Sequence, residues 1–303
     1  MKHYLLFIVC LLAVSLSSGC KKPSGSDGSE ETQQPSSQEQ LQGSDVITGP
    51  ESVDTPLAPE PGLTPDSLQP QSRIFADATI GQFLKDLAGK PFGQLTEEEL
   101  QAFNTLKISN REIENLSGVE KLANLETLSV GKNYVSSVAP LAGLEYLTEV
   151  DVSTNQIEDI AALGQVPNLT TLSIGGNMVR DVSALASLKN LEHLAISDNL
   201  ISDASPLGKI TTLKSLQISD TFIRSLEGFE TLAVLEELYL ENTFIEDVTP
   251  LHSLKNLKRL NLHGTYVSLE KIAALKAAVP GLEVAHDPEP KTSPPPLDVN
   301  LVP

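Results

Sequence analysis

Cysteine is almost absent from this sequence. The two cysteines among its 303 residues are Cys10 and Cys20, so the chain after residue 20 contains no thiol. A disulfide framework and a cysteine-ligated metal site are therefore excluded from that part of the chain. The sequence also lacks tryptophan and has only five scattered histidines. Nothing in the composition predicts a cofactor or a metal.

Positive charge is scarce as well. The chain has 21 Lys and Arg residues against 40 Asp and Glu residues, which gives a formal net charge of −19. Binding of phosphate groups depends on clustered lysine and arginine, so this balance argues against nucleic acid and anionic lipid headgroups as ligands. We therefore expect no nucleic-acid partner.

The N-terminus has the pattern of an export signal. Residues 1–3 provide a basic start, and the apolar run from Tyr4 to Leu16 is too short to span a bilayer comfortably. The sequence Leu-Ser-Ser-Gly-Cys at residues 16–20 resembles the lipobox of bacterial lipoproteins. This resemblance implies cleavage after residue 19, lipidation of Cys20 and anchoring to a bacterial cell membrane. The alternative is an ordinary signal peptide that is cleaved nearby.

Two segments have too little apolar surface to fold. Residues 20–72 are rich in Ser, Gln, Pro and Gly, and this composition predicts a disordered tether behind the lipidated cysteine. The tail at residues 285–303 contains the run Ser293-Pro294-Pro295-Pro296 and is also predicted to be disordered. A short peptide-docking motif is the alternative interpretation of that run.

A repeat of 22 residues fills the region between these segments. Each unit has apolar residues at its positions 1, 4, 6, 11, 14, 17 and 20, and in the first seven units all 49 such positions are apolar, counting Ala204. The whole chain is 40% apolar, so chance would give this match with a probability on the order of 10⁻²⁰. A single unit cannot bury its apolar edge, which predicts stacked units with one shared core. The units begin at Phe103, Leu125, Leu147, Leu169, Leu191, Leu213, Leu235 and Leu257.

Local patterns predict the structure of one unit. Positions 3 to 7 alternate small polar with aliphatic residues, which is typical of a half-buried strand. The later apolar positions recur every three residues, which favours a 3₁₀ turn or short helix, and Pro140, Pro206 and Pro250 stand where this turn would begin. Stacking then produces a parallel sheet on one side. Four aspartates at position 13 are predicted to cap the turns, namely Asp159, Asp181, Asp203 and Asp247.

At this point the sequence resembles the short leucine-rich repeats of bacterial internalins, over about 210 residues. The resemblance implies an α/β solenoid with a concave parallel sheet and a convex side of 3₁₀ turns or short helices. It also implies that the residue at position 9 is buried at the corner after each strand and bonds the backbone of neighbouring coils. These corner residues are Asn133, Asn155, Asn177, Asn199, Thr221, Thr243 and Thr265.

Both ends of the solenoid need covering. Residues 80–87 have helical apolar spacing, and Thr96 to Glu99 is close to a capping box, so this part resembles the helical N-terminal cap of such proteins. In the eighth unit Glu270 interrupts an apolar column, and residues 269–278 predict a longer helix that closes the core with residues 280–284. The predicted domains are the signal peptide 1–19, the lipidated tether 20–72, the cap 73–102, the solenoid with its C-terminal cap 103–284 and the tail 285–303.

The predicted function is protein or peptide binding through the concave face by a monomeric envelope protein. Aromatic and arginine side chains dominate binding hot spots, which favours contact residues in the later units. The alternatives are a glycan or cell-wall adhesion module, which the shortage of concave aromatic residues argues against, and a hydrolase that uses the neighbouring Glu149 and Asp151. The candidate contact residues are His193, Glu237, Tyr239, Glu241, Arg259, His263, Glu149 and Asp151.

No catalytic set is expected among them. Coils are about 5 Å apart, so His193 and His263 would be separated by roughly 15 Å and could not share a metal. Glu149 and Glu237 would be separated by roughly 19 Å, which is too far for the carboxylate pair of a glycosidase. Glu149 and Asp151 would be close enough to act as a carboxylate pair, but no nucleophile or apolar pocket accompanies them in the sequence.

Overall fold

The computed structural model describes residues 74–90 and 94–295. The predicted export signal, Cys20, the tether and the last eight residues lie outside this part. Within it the chain forms a solenoid of parallel strands and 3₁₀ turns, with helices near both ends. The predicted fold class is confirmed.

Nine short strands form one parallel sheet in sequence order. Each strand pairs with the next at an offset of 22 residues up to β8, as in the register of Leu172 with Leu194, so the repeat period sets the sheet register. The strands are β1 Thr105–Lys107, β2 Thr127–Ser129, β3 Glu149–Asp151, β4 Thr171–Ser173, β5 His193–Ala195, β6 Ser215–Gln217, β7 Glu237–Tyr239, β8 Arg259–Asn261 and β9 Glu283–Ala285.

On the opposite side, each of the first seven units makes a 3₁₀ turn. Pro140, Pro206 and Pro250 occupy the first turn of their 3₁₀ segments, where a missing backbone N–H leaves no bond unmade. The turns are Val119–Lys121, Ala139–Leu141, Ala161–Gln165, Ser183–Ser187, Ser205–Lys209, Phe229–Thr231 and Thr249–Ser253.

The core runs unbroken between the sheet and the turns. Every apolar repeat position of the first seven units is buried except Phe103, which is half-buried. Within the described residues no buried side-chain nitrogen or oxygen lacks a hydrogen-bond partner. Burial of aliphatic side chains therefore stabilises the solenoid without a polar penalty inside it.

Two helices cover the first coil, as predicted. They are α1 Ala78–Leu87 and α2 Glu97–Gln101, and the buried Ile80 and Leu84 of α1 join the core. The predicted capping box is present, since the Thr96 amide donates to Glu99 Oε2 at 2.9 Å while the Glu99 amide donates to Thr96 Oγ1 at 3.3 Å. A bond of 3.1 Å from the Glu114 amide to the Asp77 carboxylate joins this cap to the first unit.

The last coil is covered by α3 Leu269–Ala278, whose Ile272 and Leu275 are buried. The sequence predicts this helix but not the ninth strand, which adds Glu283–Ala285 to the edge of β8. The structure also describes the first residues of the predicted disordered tail, and these contact the solenoid. The Asp287 carboxylate accepts a hydrogen bond of 2.7 Å from the Gly264 amide, and the Pro295 carbonyl accepts one of 2.8 Å from Arg224.

Candidate functional site

One face of the sheet is not covered by the turns of the repeat. In β1 to β8 the middle residue is buried and its two neighbours are exposed or half-buried, because side chains alternate across a strand. We call the surface formed by positions 3, 5 and 7 of the units the sheet face. The strand register aligns these residues into rows, so that His193, Glu237 and Arg259 belong to one row and Asp151 and Tyr239 to the next.

The early part of the sheet face is small and polar, with one acidic pair. Glu149 is exposed, and Asp151 is half-buried and held in place by neighbouring serines. Its carboxylate accepts hydrogen bonds from Ser129 Oγ at 3.0 Å and from Ser153 Oγ at 2.6 Å. The bond from Ser129 joins the Asp151 carboxylate to the preceding coil, and the bond from Ser153 lies within its own coil.

Glu237, Tyr239 and Arg259 are brought together at the other end. Arg259 forms an ion pair with Glu237, and the Tyr239 hydroxyl lies 3.2 Å from Glu237 Oε2. The Arg259 side chain remains 53% exposed, so its guanidinium is available to a partner. An aromatic ring and an arginine therefore lie side by side in fixed orientations.

A second network lies beside this group. Glu241 hydrogen-bonds Ser219 of the preceding unit and Asn261 of the following unit. Asn261 Oδ1 accepts from the His263 amide at 3.1 Å, and the His263 ring nitrogen Nδ1 lies 3.0 Å from Asp287 Oδ1. Hydrogen bonds from His263 and then from the Gly264 amide hold the pKa of Asp287 below its usual value.

These two networks make one continuous surface, which we call the C-terminal patch. Five of the sequence-predicted contact residues belong to it. Two others, Ser219 and Asn261, are not among the predicted contact residues, although their positions 7 and 5 of the repeat place them on the sheet face; both are hydrogen-bond partners of Glu241. The patch consists of Ser219, Glu237, Tyr239, Glu241, Arg259, Asn261 and His263.

The other three predicted contact residues lie apart from the patch. His193 is exposed in the row of Glu237, but Ser215 of strand β6 separates the two. Glu149 and Asp151 lie on β3, four strands before β7. The structure therefore collects the larger predicted side chains at one end and leaves these residues isolated.

The corner residues lie behind the sheet face, not on it. Asn177 is 8% exposed, and its Nδ2 donates to the carbonyls of Val152 at 3.1 Å and Ile174 at 2.9 Å. Its Oδ1 accepts from the Ile157 amide at 3.0 Å. Thr243 is also buried, and its hydroxyl donates to the Leu240 carbonyl at 2.7 Å. The asparagine side chain thus hydrogen-bonds the backbone of two neighbouring coils. The threonine hydroxyl bonds only the backbone of its own coil.

The predicted caps of the turns are confirmed. The aspartate at position 13 accepts a hydrogen bond from the amide two residues later, at the first residue of the 3₁₀ turn. For Asp181 the distance is 2.7 Å, and this bond from the Ser183 amide is the main reason that the pKa of Asp181 is lowered. These carboxylates have a structural role that local hydrogen bonding accounts for.

Position 8 is a structural column that sequence reasoning missed. Its residues have a left-handed backbone, with φ of 55° at Asp198 and 54° at both Thr154 and Asp220. Partial burial, and then the neighbouring Asp220 carboxylate, raise the pKa of Asp198. The frequent Asn, Asp and Gly at this position were the available signal, since these residues tolerate a positive φ best.

Residues 74–90 and 94–295 show neither a metal-binding cluster nor a membrane-spanning helix. No group of three or more His, Cys, Asp or Glu residues there could hold a metal ion. No helix there is long and apolar enough to cross a bilayer. The candidate site is the sheet face with its C-terminal patch, where five of the predicted contact residues come together.

Comparison with known proteins agrees with this geometry. A family model described as leucine-rich repeats in two copies matches residues 167–209. The crystal structure of the internalin InlF from Listeria monocytogenes is 28% identical and superimposes with a TM-score of 0.66 over 71% of this chain. The chain thus contains leucine-rich repeats and is similar in fold to an internalin.

Other solved structures share this fold. Internalin C2 from Listeria monocytogenes is 28% identical, with a TM-score of 0.52 over 62% of this chain and 93% of its own. A leucine-rich-repeat protein of Leptospira interrogans, 18% identical, gives a TM-score of 0.52 over 64% of this chain and 57% of its own, which shows the fold alone. The chain covers 64% of InlF. No curated protein sequence matches the chain significantly.

Proposed function

We propose that this protein binds a protein partner through the sheet face, with the C-terminal patch at the centre of the contact. The observation that carries the proposal is the joining of Tyr239 and Arg259 through Glu237 on an open sheet. Tyrosine and arginine supply much of the binding energy at protein interfaces. Side chains that are already oriented lose less conformational entropy when a partner binds.

The charges of the patch suggest the chemistry of the partner. Glu237 and Glu283 flank Arg259 along its row of the sheet face, and Glu241 and Asp287 lie beside His263. The patch together with the neighbouring Glu283 and Asp287 is therefore acidic around one exposed guanidinium. A partner that offers basic side chains around one acidic or carbonyl group is complementary to it, and complementary charge favours rapid and specific association.

The protein is further proposed to be exported and anchored by lipid on Cys20. The tether of about 50 residues would have a root-mean-square span of roughly 40 Å if it behaves as a Gly/Ser-like coil, enough to hold the sheet face clear of a bilayer. Membrane fractionation of bacteria expressing the chain tests this part. Cys20→Ser should move the protein into the soluble fraction, and an unchanged membrane fraction would exclude the lipid anchor.

A capture experiment distinguishes protein binding from glycan binding. The chain from Lys21 onward is immobilised and exposed to bacterial envelope extract, either untreated, digested with protease or oxidised with periodate. We expect capture to be lost after protease digestion and to survive periodate, which destroys sugar rings. The reverse pattern would support the glycan alternative.

A further inference from the structure

A surface hollow of about 370 Å³ lies between the corner segments of the first two units. We call it the corner hollow. The segments are residues 110–112 and 132–134, which directly follow the sheet-face residues at position 7 of these units. A hollow of this size is at the small end of the range of ligand sites, so it suits one side chain of a partner. Its lining residues are Asn110, Arg111, Glu112, Lys132 and Tyr134.

Hydrogen bonds between the two coils hold the backbone around the corner hollow. The amides of Arg111 and Ile113 donate to Asn133 Oδ1 at 2.8 and 3.1 Å. The Tyr134 amide donates to the Ile113 carbonyl at 2.8 Å. The hollow is therefore part of the stacked coils and not of a loose loop.

Arg111 departs from the pattern of the repeat. It occupies position 9, where the following seven units have a buried asparagine or threonine. A corner asparagine such as Asn133 bonds a carbonyl of the preceding coil, here that of Ile108 at 2.8 Å. Strand β1 is the first of the sheet, so the corner after it has no preceding strand to bond. Position 9 of the first unit is thus released from this structural role, and an exposed arginine occupies it.

The charged side chains around the corner hollow are not used by the fold. Those of Arg111, Glu112 and Lys132 are exposed, and none of them forms a hydrogen bond or an ion pair within the described part of the chain. Arg259 of the C-terminal patch, by contrast, is paired with Glu237. The hollow has two cations against one carboxylate, in a chain whose formal net charge is −19. It is therefore a local site of attraction for an anionic group.

The residue types favour a carboxylate among anionic groups. The guanidinium of Arg111 presents paired N–H donors that match the two oxygens of a carboxylate, and the ammonium of Lys132 adds a second positive charge. The Tyr134 side chain is 51% exposed, and its ring offers an apolar surface to the methylene groups of a ligand. A phosphate dianion is less favourable, because the excess of a single cation leaves it partly uncompensated and the acidic chain repels it.

We propose that the corner hollow binds an aspartate or glutamate side chain of an acidic protein segment, with Arg111 and Lys132 as ligands of the carboxylate and Tyr134 against the segment. This site goes beyond the proposed function, because it lies outside the C-terminal patch. Strands β2 and β8 are six strand spacings apart in the sheet, or roughly 29 Å. The two surfaces also have opposite charge, so they select different parts of a partner.

The absence of tryptophan from the chain allows a selective reporter. Tyr134→Trp in the full chain places a single indole at the hollow, and its fluorescence is followed while a blocked oligoglutamate peptide is added. We expect a saturable change that added salt weakens, because salt screens the attraction between exposed charges. Titration calorimetry on the unsubstituted chain repeats the measurement without the reporter.

Two control ligands separate carboxylate binding from other interactions. An oligoglutamine peptide of the same length should give no saturable change, and inorganic phosphate should bind more weakly than oligoglutamate. The proposal would be overturned by the absence of oligoglutamate binding in both measurements, by an equal response to oligoglutamine, or by phosphate binding that is as tight.

Matched variants assign the binding to the hollow. Arg111→Gln/Lys132→Gln should raise the Kd for oligoglutamate at least about tenfold, because two charge-assisted contacts are lost. Lys121→Gln/Lys209→Gln removes the same charge from two exposed lysines outside the hollow, and it should leave Kd within about twofold. Glu112→Gln removes the competing carboxylate and should lower Kd about threefold. Equal Kd values for the two double variants, or a raised Kd for Glu112→Gln, would overturn the proposal.

Discussion

At the scale of single residues, the corner asparagines show how a side chain replaces backbone pairing. A coil must leave the sheet at position 9, where peptide groups would otherwise be buried without partners. The amide of Asn177 serves two carbonyls and one amide from two successive coils. The hydroxyl of Thr243 serves the Leu240 carbonyl within its own coil.

This difference predicts unequal effects of alanine substitution. Each buried polar group that loses its partner costs about 1–3 kcal/mol, so Asn177→Ala should lower the free energy of unfolding by about 3 kcal/mol and Thr243→Ala by about 1 kcal/mol. Urea denaturation of both variants measures this. Equal losses of unfolding free energy would contradict the conclusion that the corner asparagine joins neighbouring coils.

A single carboxylate gives a pH-dependent prediction. The folded-state pKa of Asp198 is raised, so the folded protein holds this proton more tightly than the unfolded chain, and stability increases as pH falls through the raised value. Asp198→Asn removes the repulsion from Asp220 and keeps a residue that tolerates positive φ. We expect a gain in unfolding free energy of about 0.5 kcal/mol at pH 7, typical of an exposed charge pair.

The gain should disappear at acidic pH. Below the unfolded pKa of aspartate, about 3.9, residue 198 is neutral in the parent and in the variant alike. Urea midpoints of both proteins at pH 7 and at pH 3.5 provide the comparison. A gain of equal size at both pH values would assign the effect to the asparagine backbone preference instead of to charge.

At the scale of structural elements, the regular units were predictable and the ends less so. The spacing of Leu172, Ile174 and Val179 repeats every 22 residues, and this alone indicates which side chains face the core. The ninth strand was not predictable, because Glu283–Ala285 has no complete unit around it and forms only by pairing with β8. The contact between Asp287 and His263 was not predictable either, because the two residues are 24 positions apart in the sequence.

The C-terminal helix is predicted to be necessary for closing the core. Leu275 on α3 is fully buried, whereas Leu269 on the same helix is 48% exposed. Leu275→Ala should lower the free energy of unfolding by about 3 kcal/mol, the usual effect of removing a buried leucine side chain. Leu269→Ala should change it by less than about 0.5 kcal/mol. Similar losses for both variants in urea denaturation would contradict the role of α3 as a cap.

At the scale of the whole solenoid, a uniform core supports a surface that is not uniform. The repeat fixes the positions of the sheet-face side chains but leaves their identity free. Sequence patterning therefore predicts where Tyr239 and Arg259 lie. It does not predict that Glu237 joins them, because that contact depends on side-chain conformation.

The most direct test of binding through the C-terminal patch is the affinity of the captured partner for a matched set of variants. Tyr239→Ala/Arg259→Ala should raise Kd at least a hundredfold, since two hot-spot side chains each contribute about 2 kcal/mol. Tyr146→Ala/Arg180→Ala removes the same residue types from exposed positions outside the sheet face, and it should leave Kd within about twofold. An unchanged Kd for the patch variant, or equal losses for the two variants, would contradict recognition through this surface.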